Sequence, residues 1–252
     1  MVAWYHLRDV PVEDEEGLLV GMISYRQVLS RLLERADEEK PKLLPVRELM
    51  DSSPESLLAS SPTAEATTKM LAKHCNLPVV EYGLLIGIFT YYCSSYTIGK
   101  VLEEHCAKAA DSAAITTSEW SVQKFMKKEP PLISAKEKIR TAMQCMAVQS
   151  HLYLLVEDEK QQLRGIISYR QLMRHSETLE GKPVSLLEEI MTPEPITVSP
   201  KMPVLDAIAL MHEKQLGCLP VIENASIVGM LTEYDLMQIA HYCFTLGSDS
   251  TE

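Results

Sequence analysis

The hydrophobic positions of the chain recur in a fourfold pattern. Each time, one short apolar run meets a turn, a second run passes through a glycine and closes on a hydroxyl side chain, and a helix-like stretch follows. The closing stretches are Gly21-Met22-Ile23-Ser24-Tyr25-Arg26-Gln27, Gly87-Ile88-Phe89-Thr90-Tyr91-Tyr92-Cys93, Gly165-Ile166-Ile167-Ser168-Tyr169-Arg170-Gln171 and Gly229-Met230-Leu231-Thr232-Glu233-Tyr234-Asp235. Each reads as a buried strand running into a helix. The last copy sets a hydroxyl and a carboxylate three residues apart at the helix mouth.

In chain order, repeat one predicts a strand around Asp9 to Val12, an acidic turn from Glu13 to Gly17, a strand from Leu18 to Ile23 and a helix from Ser24 to Leu33 with Val28, Leu29 and Leu32 as its apolar stripe. A polar linker follows, Ala36 to Pro45. Repeat two opens at Val46-Arg47-Glu48-Leu49-Met50, turns at Asp51 to Pro54, and predicts a helix from Ala64 to His74, strands Leu77 to Glu81 and Leu84 to Phe89, and a helix to about Cys106. Ala107 to Ser121 reads as a linker between halves. Repeat three opens at Val122-Gln123-Lys124-Phe125-Met126, carries Ile139, Ala142, Met143 and Met146 at helical spacing, and returns to strands at Tyr153 to Val156 and Leu163 to Ile167. After a linker, Ser176 to Pro183, repeat four gives Leu187-Glu188-Glu189-Ile190-Met191, then Ile196-Thr197-Val198-Ser199-Pro200. It continues with a helix bearing Val204, Ala207, Ile208 and Met211, strands at Leu219 to Ile222 and Ile227 to Leu231, and a last helix from Glu233 to Tyr242.

The registers show how the repeats are related. Val12-Glu13-Asp14-Glu15 returns as Val156-Glu157-Asp158-Glu159, an offset of 144, and Leu77-Pro78-Val79 returns as Leu219-Pro220-Val221, an offset of 142. Repeat one thus resembles three, and two resembles four. A tandem pair that was itself duplicated predicts two similar domains of about 120 residues: residues 1–106 (repeat one 1–35, repeat two 46–106) and 121–243 (repeat three 121–176, repeat four 184–243), with a linker at 107–120 and a tail at 244–252. Repeat one lacks the first half that repeat three has. The expectation is that Met1 is an internal start or a cut from a longer polypeptide, or that another element covers the gap.

Composition narrows the classes of function. The net charge of -11 with dispersed acidic residues disfavours nucleic acid and anionic membrane as main partners. The six cysteines form no C-x-x-C pair, which suits a reducing cytoplasm, and the first ten residues lack the apolar run of a signal peptide. Leu77 to Cys93, the longest apolar stretch, is divided by Glu81 and Gly83 into pieces too short to span a bilayer. His74-Cys75 and His105-Cys106 have no second pair to complete a metal site, and no nucleophile constellation, P-loop or G-x-G-x-x-G occurs.

A pattern of V-x-x-h-M, h-T-V-S-P, an Ala- and Met-bearing helix, h-L-P-V-h and G-h-h-T-x-x-D resembles the CBS domain. Repeat four carries essentially all of it, repeats two and three most of it, and repeat one its second half. The resemblance implies an α+β fold of tandem β-α-β-β-α units paired into two Bateman modules. It also implies a non-catalytic region that binds an adenosine-containing small molecule (AMP, ADP, ATP or S-adenosylmethionine) and modulates a fused or associated enzyme, with a homodimer among its assemblies. His6 through Arg26 further resembles the CBS tails of bacterial carboxylate-amine ligases of the glutamate-cysteine ligase type.

By that resemblance the adenine lies against Ile196, Thr197, Gly217, Cys218, Leu219 and Pro220, with Asp235 on the ribose hydroxyls and Thr232 on a phosphate oxygen. Two readings of Thr232 and Asp235 stay open, because Thr-x-x-Asp before a helix is also close to a capping box. Ser24/Gln27 and Ser168/Gln171 keep a box without the carboxylate, which points to one nucleotide site, in repeat four. Arg170, like Arg26, is either a phosphate contact or a solvated surface residue. The alternative function is a scaffold for oligomerisation or protein interaction that binds no ligand.

Overall fold

Alternating apolar runs pair into hairpins, and helical stripes cover them. The computed structural model describes residues 8–35, 44–91, 120–175 and 186–246. Repeat one contributes β1 (Asp9–Glu13), β2 (Leu19–Ser24) and α1 (Tyr25–Arg35). Repeat two contributes a 3-10 turn at Val46–Glu48, β3 (Leu57–Leu58), α2 (Thr63–Lys73), β4 (Leu77–Glu81) and β5 (Leu84–Phe89). Repeat three holds α3 (Val122–Phe125), β6 (Leu132–Ser134), α4 (Ile139–Gln149), β7 (Tyr153–Glu157), β8 (Leu163–Ser168) and α5 (Tyr169–His175). Repeat four holds α6 (Leu187–Ile190), β9 (Thr192–Pro193), α7 (Val204–Glu213), β10 (Cys218–Glu223), β11 (Ser226–Thr232) and α8 (Glu233–Leu246). The α+β class holds, and from β6 to α5 repeat three is the expected β-α-β-β-α unit. The last helix runs four residues beyond the expected Tyr242; β3 stands where the unit pattern implies an entry strand for repeat two, although the apolar pattern assigns no residues to it, and the short strand β9 was not expected. The second helix of repeat two from residue 92 on, and the greater part of the three expected linkers (36–43, 107–119 and 176–183), fall outside the described residues.

The hairpin of repeat three shows how the pattern folds. β7 lies antiparallel to β8 in a register that opposes Tyr153 to Ser168 and Val156 to Gly165, and shifts between Val156 and Glu157. The shift feeds a turn in which the Asp158 carboxylate accepts the Lys160 and Gln162 amides at 2.9 and 3.0 Å. Repeat one repeats the device, with a shift between Val12 and Glu13 and with Asp14 accepting the Glu16 and Leu18 amides at 3.2 and 2.8 Å. The shared Val-Glu-Asp-Glu sequence is therefore a bulge and an Asx turn.

Contacts group the chain into two compact units that each draw on both halves: residues 1–55, 80–86 and 131–195, and residues 56–79, 87–130 and 196–252. In the first unit α1 packs on α4 around Leu29, Ile139, Met143 and Met146. Tyr25 and Tyr169, equivalent by the offset of 144, meet with ring centroids 4.9 Å apart. Burial pushes the Tyr25 phenol up to about 12, so it stays neutral and donates to the His151 carbonyl at 3.4 Å. In the second unit α2 packs on α8, where Met237 joins Met70, Leu77 and Tyr91.

The glycines mark the closest approaches. The V-x-x-h-M segments form short lead-in turns, each ending with a methionine laid over the glycine of another repeat. A Cβ on Gly21 would meet the Met50 sulfur and come within 2.9 Å of the Asp51 carbonyl; on Gly165 it would meet Met191 and lie 2.8 Å from the Thr192 carbonyl; on Gly229 it would meet Met126 and lie 2.9 Å from the Lys127 carbonyl. Because a backbone carbonyl cannot swing aside, Gly165→Ala and Gly229→Ala are each expected to cost about 1–3 kcal/mol in overpacking, read by urea unfolding.

Candidate functional site

Three stretches of backbone come together in repeat four, within the second compact unit. β10 pairs antiparallel with β11, opposing Cys218 to Thr232, Leu219 to Leu231 and Pro220 to Met230. On the other side of β10, Val198 bridges Val221 in parallel, with the Val198 amide donating to the Pro220 carbonyl at 3.0 Å and the Ile222 amide donating to the Val198 carbonyl at 2.9 Å. The Glu233 amide donates to the Gly217 carbonyl at 3.2 Å, tying the start of the last helix to the start of β10. Gly217, Cys218, Leu219 and Pro220 are buried, whereas Ile196 and Thr197, just ahead of the Val198 bridge, are exposed. The apolar residues Leu219, Val221 and Leu231 anchor this end to the core through α7.

Asp235 sits in the first turn of α8 and is buried. Its Oδ2 accepts the Thr232 amide at 2.7 Å and the Thr232 hydroxyl at 2.6 Å. The capping arrangement is thus formed, and the Thr232 hydroxyl hydrogen points at the carboxylate. A phosphate oxygen only accepts hydrogen bonds, so Thr232 serves Asp235 directly and would reach a phosphate only by turning that hydrogen away.

The same corner in repeats one and three is built with an amide. In repeat one the Gln27 side-chain oxygen accepts the Ser24 amide at 2.6 Å, and in repeat three Gln171 accepts the Ser168 amide at 2.8 Å and the Ser168 hydroxyl at 2.9 Å. Gln171 also donates through Nε2 to the Ile190 carbonyl at 3.1 Å and the Thr192 hydroxyl at 3.0 Å, so its outer arm is spent on the lead-in turn. Asp235 has no such arm.

Burial is the largest influence on Asp235 and raises its carboxyl above the ordinary value of 3.8, against the lowering effect of the Thr232 hydrogen bonds and the Lys127 charge. Lys127 is a member of this neighbourhood that the sequence reading did not name. Its place directly after the methionine of the lead-in turn, where repeats two and four carry Asp51 and Thr192, was the available signal. The Cys218 thiol is pushed well up by burial and then by the charges of Asp235 and Glu233, so it packs as a neutral group. On the far side of the helix start, the Tyr234 ring stacks on His74 at 4.8 Å and faces Tyr91 at 6.2 Å.

Arg170 belongs to the first compact unit, where its guanidinium lies 5.5 Å from the Tyr169 ring centroid. Arg26, the equivalent residue, donates to the Ser150 hydroxyl at 2.7 Å. Among the described residues no group of three or more His, Cys, Asp or Glu is placed to hold a metal ion, and no helix is long and apolar enough to cross a membrane.

Comparison with known proteins agrees with this architecture. The chain is 23% identical over 275 residues to the CBS domain-containing protein CBSCBSPB3 of Arabidopsis thaliana, matching 94% of this chain and 47% of that protein. It is 24% identical over 267 residues to CBSCBSPB5 of the same plant, again across 94% of this chain and 47% of the relative. The chain therefore spans about half the length of the curated relatives it matches. Among solved structures, protein MJ1225 of Methanocaldococcus jannaschii superposes with a TM-score of 0.77 at 20% identity, covering 94% of this chain and 90% of that one. An uncharacterized conserved protein of Pyrococcus horikoshii gives 0.61 at 22% identity, covering 92% and 91%. The family model for the CBS domain matches residues 46–92, 122–178 and 187–242, more than half of the chain, which accordingly belongs to the CBS domain family.

Proposed function

We propose that this chain is a regulatory, non-catalytic region whose fourth repeat binds an adenosine-containing ligand and whose occupancy modulates a fused or associated enzyme. The observation that carries the reading is the chemistry of Asp235. An amide closes the same helix corner in repeats one and three, so the cap does not require a charge. Repeat four nevertheless buries a carboxylate there, against a desolvation penalty. Both Thr232 donors go to Oδ2. Oδ1 is then the oxygen that the paired hydroxyls of a ribose would find, while the adenine lies against Ile196, Thr197 and the backbone from Gly217 to Pro220. The proposal rests on repeat four alone and leaves Arg170 aside.

AMP, ADP, ATP and S-adenosylmethionine are the ligands to try. The wider setting belongs to the same proposal: consecutive repeats paired as Bateman modules within 1–106 and 121–243, a cytoplasmic protein, and a response passed to the partner as a shift in population between two arrangements of the paired repeats. The exchange of lead-in turns, residues 187–192 onto repeat three and 122–127 onto repeat four, supports consecutive pairing.

Two measurements bear on this reading. In calorimetric titration one adenosine compound is expected to bind saturably, and Asp235→Asn is expected to weaken it by about 1.5–3 kcal/mol, the range for a hydrogen bond to a charged group. Absence of binding by all four compounds favours the ligand-free scaffold instead. The second measurement is stability against pH. The folded chain holds the Asp235 proton more tightly than the unfolded chain, so ionisation costs folding free energy. That cost is absent below the ordinary carboxylate range, grows as pH rises through the raised value, and is constant above it. Asp235→Asn is thus expected to match the parent in acid and to exceed it in stability at neutral pH, measured by urea unfolding across the range.

A further inference from the structure

The glycine cradles leave one place unaccounted for. Gly21, Gly165 and Gly229 are buried, and each lies under the methionine of a lead-in turn. In each case the residue after the glycine also pairs with the residue after the methionine. Met22 exchanges backbone hydrogen bonds with Asp51 at 2.9 and 2.8 Å, Met230 exchanges them with Lys127 at 3.0 and 2.9 Å, and Ile166 pairs with Thr192 in the sheet. Gly87 stands at the equivalent position of repeat two, yet it is exposed, and a Cβ built on it meets no described atom within 4 Å.

The sheet edges show the same contrast. In repeat three the order is β6-β7-β8-β9, so the outer edge of β8 is filled by the strand that leaves a lead-in turn. In repeat two the order is β3-β4-β5; Leu18 bridges the start of β5 at Leu84, with the Leu85 amide donating to the Gly17 carbonyl at 2.9 Å, and beyond Leu85 no described strand pairs with the outer edge of β5. That strand is apolar and open to solvent, with Leu84 43% and Ile86 51% exposed. The apolar edge beyond that bridge, unpaired among the described residues, is a template for another strand.

We propose that the Gly87 edge of β5 is a docking site for a short helical turn ending in methionine and one extended residue, the same chemistry as residues 46–51, 122–127 and 187–192. The occupant's methionine lies over Gly87, and its following residue exchanges two backbone hydrogen bonds with Ile88. The order of the filled cradles identifies which turn fits. The turn leading into repeat two covers the glycine of repeat one, the turn into four covers that of three, and the turn into three covers that of four. The slot on repeat two therefore matches a turn that leads into repeat one, attached ahead of β1.

The test copies residues 186–194 onto the N-terminus of the full chain through a flexible Gly/Ser linker, which holds the segment at an effective concentration of about millimolar. Amide hydrogen exchange at Ile88 is the readout. The added segment is expected to slow exchange at Ile88 by about tenfold or more and to raise the unfolding temperature, while Gly87→Ala in the extended chain cancels both effects. Gly87→Ala in the chain without the segment is expected to leave the unfolding temperature unchanged, unlike the same substitution at Gly21, Gly165 or Gly229. The proposal is overturned if Gly87→Ala destabilises the chain as much as the other three, if Ile88 is equally protected without the segment, or if the segment changes nothing. Protection at Ile88 that rises with protein concentration instead identifies a second copy of the chain as the occupant and overturns the assignment to a lead-in turn.

Discussion

A missing side chain is the constraint on which the repeats depend. Where a lead-in turn crosses the second strand of a hairpin, two backbones approach so closely that only glycine fits beneath the methionine sulfur and the carbonyl after it. Two main-chain hydrogen bonds lock the crossing, and the flexible thioether fills the irregular space above it. Register follows from this. Once the methionine is seated over its glycine, the hairpin cannot slip by one residue without driving a Cβ into a carbonyl. Connection follows as well, because the turn that introduces one repeat is held by a different one.

Within this shared frame the three described helix corners divide the work. Gln171 uses its oxygen as a cap and its nitrogen to grip the lead-in turn, so its polar atoms are consumed by the protein. Asp235 caps with one oxygen and, being a carboxylate, has no donor with which to grip anything. What distinguishes repeat four is therefore less a new structure than a change of one functional group in an old one. It exchanges a self-satisfied amide for a buried acceptor held in place by Thr232. The neighbouring Cys218, kept neutral by burial and by adjacent carboxylates, packs as an apolar group.

Much of this was legible in the sequence. The hairpins announce themselves through paired apolar runs, the Val-Glu-Asp-Glu segments through their turn chemistry, and the helix corners through a hydroxyl followed three residues later by Gln or Asp. The two-residue strands β3 and β9 were not legible, because a period of two cannot be read from two residues. Nor was the destination of the V-x-x-h-M turns, since which glycine a turn covers is settled by tertiary packing. Asp235 was readable as a cap or a ligand group, but the commitment of the Thr232 hydroxyl to its carboxylate is a matter of rotamer. Arg26 and Arg170 looked equivalent; the chain gives one a serine hydroxyl and the other a tyrosine face.

The grouping of distant segments into compact units has a consequence for how the molecule is made. The first unit needs residues 1–55 together with 131–195, and the second needs 56–79 together with 196–252. Neither core can close until the second half of the polypeptide has been synthesised, so the first half waits with Leu29 and Met70 still lacking partners that end fully buried. Long-range closure of this kind slows folding and lengthens the exposure of apolar edges. A break at the middle of the chain consequently does not separate two folding units. It divides each of them.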